Sequence, residues 1–172
     1  MKVAQATSAG QSRFDEAESI FQFSVDNART YYGDDYSNIG GRFSEWARVR
    51  VRRGDLAGAE SLMREALELY RNAPGDEHPR TQAARLALAD VLVKRGCYAE
   101  AEPLLLDWFE SAEHSTKDSG ISKTQASSRR LLRFYRAWLA VAPGNDRRAA
   151  VESWRGRLVE VTQKNPPPPT AP

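Results

Sequence analysis

Apolar residues along this chain recur at steps of three and four. Between Asp55 and Asn72, Leu56, Ala59, Leu62, Met63, Ala66, Leu67 and Tyr70 fall on one stripe of a helix. Between Thr81 and Arg95, Ala84, Leu88, Val91 and Leu92 do the same, and Leu86 and Val93 widen the stripe. Gly54 and Gly96 stand between such stripes, where a left-handed C-cap is needed and glycine adopts it at no steric cost. His78-Pro79 opens another stripe, with Pro79 near the first helical position, where its missing N–H is not needed. The pattern predicts seven helices, at about 13–32, 38–53, 55–72, 79–95, 97–113, 122–141 and 146–163, and hence an all-α fold. Pro103 falls early in the fifth and predicts a local bend there.

The pattern repeats. Phe14-Asp15-Glu16-Ala17-Glu18, Leu56-Ala57-Gly58-Ala59-Glu60 and Tyr98-Ala99-Glu100-Ala101-Glu102 align with a spacing of 42. Gly54 and Gly96 share that spacing, as do Gly33-Asp34 and Gly75-Asp76. Thr81-Gln82-Ala83 returns as Thr124-Gln125-Ala126, and Gly144-Asn145-Asp146-Arg147-Arg148-Ala149 is a degraded further unit. Each unit is two helices, and Ala59 and Ala101 mark places where neighbouring helices cross closely. One helix pair cannot bury its own stripe, so the pairs are expected to stack on one another as an α-solenoid.

Gly-x-Tyr-x-x-Ala-Glu ahead of an apolar stripe resembles the tetratricopeptide repeat. The 42-residue period, the connection Gly75-Asp76-Glu77-His78-Pro79 and the run Ala101-Glu102-Pro103-Leu104 resemble its kinesin-light-chain type. The last unit, with Tyr135, Trp138 and Trp154-Arg155-x-Arg157-Leu158, resembles the closing repeat of such regions in bacterial serine/threonine kinases, although no kinase segment is present. The resemblance spans roughly 12–160. It implies a repeat domain over 12–163, flanked by a disordered arm at 1–11 and a disordered proline-rich tail at 164–172 that includes Pro166-Pro167-Pro168-Pro169. It also implies a non-catalytic scaffold that binds a peptide or protein segment in a concave groove lined by the first helix of each pair. Kinesin-light-chain repeats carry an asparagine on that helix to grip the peptide backbone. Here Glu45 and Ala87 occupy the corresponding positions. By position, the groove candidates are Arg42, Ser44, Arg48 and Arg52, then Asp90 and Lys94, then Arg129 and Arg133.

Composition narrows the chemistry. The chain has 172 residues, of which 41% are hydrophobic, enough for one domain with a core. No stretch approaches the 18 or so apolar residues of a membrane span. The first residues have no apolar core and do not form a secretory leader, so a cytoplasmic location is expected. One cysteine, Cys97, and two histidines, His78 and His114, exclude a disulfide within the chain and any site built from several Cys or His. No phosphate loop, dinucleotide fingerprint, zinc-protease motif or nucleophile elbow is present, so neither enzyme activity nor a cofactor is expected. His78 beside Asp76 and Glu77 reads as a turn feeding a helix, and Cys97 as an ordinary thiol.

Net charge is only +2, but it is unevenly spread. Residues 121–172 carry ten Lys/Arg against three acids, and 1–120 carry fifteen against twenty. The runs Arg48, Arg50, Arg52, Arg53 and Arg129, Arg130, Arg133, Arg136 admit two readings. They are either solvated helix faces paired with local carboxylates, or a surface for an acidic peptide. Nucleic acid bound by the Arg-rich C-terminal third is the alternative function. Phe134, Tyr135, Trp138 and Trp154 fit a packed closing repeat better than a stacking platform. Helix 13–32 presents two apolar faces. Ile20, Phe23 and Tyr31 are expected to meet helix 38–53, which leaves Phe14, Ala17 and Phe21 open. Self-association through that edge is therefore expected, unless residues 1–12 fold back over it, and the chain is either part of a longer array or capped by this helix.

Overall fold

The computed structural model describes residues 2–32, 36–72, 75–114 and 121–164, with side chains described for 12–28, 30–31, 39–72, 75–111 and 125–163. Among these residues there are seven helices and no strand: α1 Lys2–Tyr32, α2 Tyr36–Arg53, α3 Leu56–Asn72, α4 Pro79–Arg95, α5 Tyr98–His114, α6 Ile121–Val141 and α7 Asn145–Lys164. The fold is all-α, built from antiparallel helix pairs joined by tight turns. Six helices lie within two residues of the ranges the periodicity predicts. The exception is α1, which starts at Lys2 and runs through the segment read as a disordered arm. The tail from 165 lies outside the described residues. None of these helices is long and apolar enough to cross a membrane.

The turns repeat in detail. Gly54 and Gly96 have φ of 87° and 82°, the left-handed conformation that glycine alone reaches cheaply. Asp55 N–H donates to Arg50 O at 3.0 Å and Gly54 N–H to Val51 O at 3.1 Å, closing the last turn of α2. Cys97 N–H to Leu92 O at 2.9 Å and Gly96 N–H to Val93 O at 3.0 Å close α4 in the same way. Asp55 then caps α3, accepting from Gly58 N–H at 2.9 Å. His78 caps α4, its Nδ1 accepting from Arg80 N–H at 3.1 Å, with Pro79 following it. Asp76 is held by Arg71 and by the buried Arg85, both at 2.9 Å. The Asp76–His78 stretch is therefore a helix start tied down by arginines.

Internal contacts divide the chain into two compact units, Met1–Ala101 and Glu102–Pro172. In the first, α2 packs on α1 and α3, and α3 packs on α4. Ala59 and Ala101 are fully buried, as the repeat predicts. Leu88 and Leu92 of α4 are also enclosed, each contributing about 1.5–3 kcal/mol by burial. Thr81 is fully buried too. Its hydroxyl donates to Gly75 O at 2.6 Å, with Tyr70 O at 3.2 Å, pinning the start of α4 to the end of α3.

α1 is rotated from its expected setting. Val25 and Ala28 are buried and Phe14, Ala17 and Phe21 are half-buried, whereas Ile20, Phe23 and Tyr31 are 59%, 69% and 81% exposed. The two faces have thus exchanged roles. Ala17 and Ala28 let the helices approach, and α2 sets the rotation through its polar groups. Arg50 Nε reaches Glu18 at 3.0 Å, Arg53 reaches Asp15 and Glu18 at 3.2 Å, and Arg42 bonds Ser24. These pairs turn the 14/17/21 side toward α2 and the 20/23/31 side away.

The second unit is an aromatic core. Phe134 and Tyr135 are buried, and Phe109 meets Trp154 edge-on with ring centroids 4.8 Å apart. Arginines pack over ring faces: Arg157 lies 4.7 Å from the Phe109 centroid and Arg147 lies 4.5 Å from that of Trp138. Tyr135 Oη donates to Glu102 Oε1 at 2.5 Å. Burial, reinforced by that carboxylate, pushes the phenol above its usual range. These aromatics are structural, as their clustering in the sequence suggests.

Candidate functional site

A 42-residue period places equivalent residues of α2 and α4 in matching positions on adjacent helices. Arg48 matches Asp90, Arg52 matches Lys94, and Glu45 matches Ala87. The structure brings all six to one cleft of about 520 Å³ between α2 and α4. Val51 and Val91 contribute apolar wall, and Met63 of α3, itself buried, contributes the floor. A narrower cleft of about 170 Å³ shares Glu45, Arg48, Met63 and Ala87 and continues to Ser44, Tyr70 and Arg80.

The charges differ in how far they are satisfied. Arg48 Nη1 pairs with Glu45 Oε1 at 2.8 Å, one helical turn away and exposed. Arg52 and Lys94 are exposed and have no carboxylate partner among the described residues. Both stand in the last turn of their helices, where the negative end of the helix dipole favours a cation. Elsewhere in the first unit several arginines are engaged: Arg50 with Glu18 and Asp55, Arg53 with Asp15 and Glu18, Arg64 with Glu60 and Glu100, and Arg95 with Glu60. At the narrow end, burial raises the Tyr70 phenol above its ordinary value against the opposing pull of Arg80.

The eight residues predicted as a groove therefore separate. Arg48, Arg52, Asp90 and Lys94 share the main cleft, and Ser44 lines its narrower extension, its Oγ donating to Gly40 O at 3.0 Å. Arg42 is turned instead to Ser24 of α1. Arg129 and Arg133 lie on α6 in the second unit, exposed beside Arg136 on one helix face. The positional list omitted Val51, Met63 and Val91. Met63 and Val91 belong to stripes that read simply as core, so the sequence carries no separate sign that they also floor and wall a cleft. Among the described residues no group of three metal-ligating side chains comes together.

Comparison with known proteins agrees with the repeat fold. Residues 43–113 match the family model of the tetratricopeptide repeat, a segment that contains most of α2 and all of α3 and α4. The fold is similar to that of BtubC (BKLC) from P. vanneervenii, with 14% identity, a TM-score of 0.57, and coverage of 95% of this chain and 79% of that one. It is also similar to a kinesin light chain with nearly identical repeats from Podosopora anserina, with 18% identity, a TM-score of 0.63, and coverage of 91% of this chain and 81% of that one. A single-substitution form of that protein gives the same identity and TM-score. No curated protein sequence matches significantly. Residues 43–113 therefore carry tetratricopeptide repeats. The fold of the chain is similar to that of kinesin-light-chain repeats, and tetratricopeptide repeats generally act as protein-interaction scaffolds.

Proposed function

We propose that the chain is a non-catalytic scaffold whose α2–α4 cleft holds a peptide segment bearing acidic side chains. The observation that carries this reading is the pair Arg52 and Lys94, two exposed cations without carboxylate partners among the described residues, at the rim of a cleft walled by Val51 and Val91 and floored by Met63. An acidic residue of the guest satisfies the cations, and its apolar neighbours cover the floor. Glu45 and Ala87 stand where the resemblance implies backbone-gripping asparagines, so the guest is held by side-chain charge in place of amide hydrogen bonds to its backbone. Arg48, already paired with Glu45, contributes less.

An array of short peptides graded in acidic content, read by fluorescence anisotropy, tests this. Affinity rises with acidic content in the parent, and Arg52→Glu with Lys94→Glu lowers it by about tenfold or more, whereas Arg129→Glu with Arg133→Glu changes it little. Equal affinity of parent and cleft variant refutes the cleft as the site. Tight RNA binding with a steep salt dependence, abolished by the α6 variant, favours the nucleic-acid alternative instead.

A further inference from the structure

The outward face of α1 departs from the repeat to which the helix belongs. Phe23 corresponds to Glu65 in α3 and Asp107 in α5, both acids, yet it is a phenylalanine and 69% exposed. Ile20 corresponds to Leu62, which is buried in α3, yet Ile20 is 59% exposed. One repeat later, then, one of these positions is covered by protein and the other carries a charge. α1 makes both apolar and leaves both bare.

The face has the spacing of a helix–helix seam. Arg13, Glu16, Ile20, Phe23, Asn27 and Thr30 alternate steps of three and four, which is the a/d pattern of a heptad, with Tyr31 alongside. The pattern is also self-complementary when reversed. With two copies of α1 laid antiparallel and the twofold axis between Phe21 and Gln22, Ile20 of each opposes Phe23 of the other. Glu16 then opposes the Asn27 amide, a donor for its carboxylate. Arg13 opposes Thr30 and lies beside the Tyr31 ring, a cation–π partner. No charge meets a like charge along this line.

We propose that α1 is a homodimerisation helix, and that a second copy of this chain covers Ile20, Phe23 and Tyr31 by antiparallel α1–α1 pairing. The three side chains leave roughly 400 Å² of apolar surface bare on each copy, taking 150–250 Å² for a full aromatic side chain. A stable interface buries about 800 Å² per partner. The apolar centre supplies half of that, and the flanking polar layers extend it, so the dimer is weak and concentration-dependent. This surface is separate from the α2–α4 cleft and does not depend on what the cleft binds.

Sedimentation of the full chain over a wide concentration range shows the 19.2 kDa species giving way to one of twice that mass. Phe23→Glu raises the dissociation constant at least about tenfold and leaves the melting temperature of the dilute monomer unchanged, because the side chain is exposed in the monomer. Register is read by disulfide formation in a Cys97→Ser background. Glu16→Cys and Asn27→Cys chains cross-link when mixed, and neither does alone. A parent that stays monomeric overturns the proposal. So does a dimer that survives Phe23→Glu, assembly past the dimer into open polymers, or cross-linking within either single-variant sample.

Discussion

Replacing Gly40 with alanine sets two opposing effects against each other on one atom. Gly40 lies inside α2, where alanine is favoured over glycine by about 1 kcal/mol. The added Cβ, however, stands 2.9, 3.0 and 3.2 Å from Cζ, Cε1 and Cε2 of Tyr70. That ring is buried, and it sits at the end of α3 that Thr81 ties to α4, so it cannot swing aside as a flexible side chain would. Overpacking of this kind costs about 1–3 kcal/mol. The clash equals or exceeds the propensity gain, and Gly40→Ala is expected to destabilise by roughly 0–2 kcal/mol. Gly41→Ala is the internal control. It shares the helix and the propensity gain, but its Cβ meets only Tyr70 Oη, at an ordinary 3.5 Å. The difference between the two variants therefore isolates the clash. At about 2–4 °C per kcal/mol for a chain of this size, Gly40→Ala should melt roughly 2–12 °C below Gly41→Ala when followed by helical circular dichroism. In a Tyr70→Leu background, where the ring is gone, the gap should close. Equal melting of the two alanine variants in the parent background would show that α2 and α3 do not approach as closely as described.

Two further outcomes follow from buried or engaged polar groups. Thr81→Val removes the hydroxyl that serves Gly75 O and Tyr70 O in a site without solvent, and should cost about 1–3 kcal/mol in urea unfolding, against no change if the hydroxyl is idle. For Glu60 the sign of the shift decides the outcome. Burial raises its pKa, but hydrogen bonds from Arg95 and Arg64 and their charges outweigh that and hold the carboxyl below its ordinary range. A depressed folded pKa stabilises the fold above the unfolded value, and the contribution is lost as pH falls through the folded one. Glu60→Gln should therefore lower the urea midpoint at neutral pH and converge with the parent in acid. A difference independent of pH contradicts this account.

The parts of the fold legible in the sequence are those set within one repeat. Gly54 and Gly96 announce their turns because nothing else adopts φ near +85° cheaply, and both do adopt it. Ala59 and Ala101 announce close helix crossings because a small residue recurs inside an apolar stripe, and both are fully buried. Much of the cleft was legible for the same reason. A 42-residue period with a rigid turn carries Arg48 onto Asp90 and Arg52 onto Lys94, so positions alone place them on adjacent helices. What the repeat did not fix is rotation where its own pattern fails. Both faces of α1 are apolar, and hydrophobicity could not choose between them. The choice was made by Arg42, Arg50 and Arg53 of α2, whose partners Ser24, Glu18 and Asp15 lie a few residues from either stripe. The start of α1 was missed because residues 2–11 carry no apolar stripe to signal a helix. Gly40 was missed because a glycine within a helix reads as a weak point, and its purpose depends on a ring thirty residues away.

The uneven charge of the chain resolves along the same lines. The arginines of the first unit that bridge elements are neutralised where they stand: Arg50 and Arg53 join α2 to α1, and Arg95 and Arg64 converge on Glu60. In the second unit Arg130, Arg147 and Arg157 lie over the rings of Trp108, Trp138 and Phe109. Residues 121–172 carry a formal excess of +7, with ten Lys/Arg against three acids. Arg52, Lys94, Arg129, Arg133 and Arg136 belong to neither group. They have no carboxylate partner among the described residues, and they project from α2, α4 and α6, the first helices of the three pairs. An ion pair that fastened them internally would add at most about 1 kcal/mol at such exposed positions, so their freedom costs the fold little. In the proposed scaffold, Arg52 and Lys94 remain available to a carboxylate of the guest. Stability in this chain therefore rests on apolar burial and on arginines committed to partners, while Arg52 and Lys94 stand uncommitted on the helices that line the cleft.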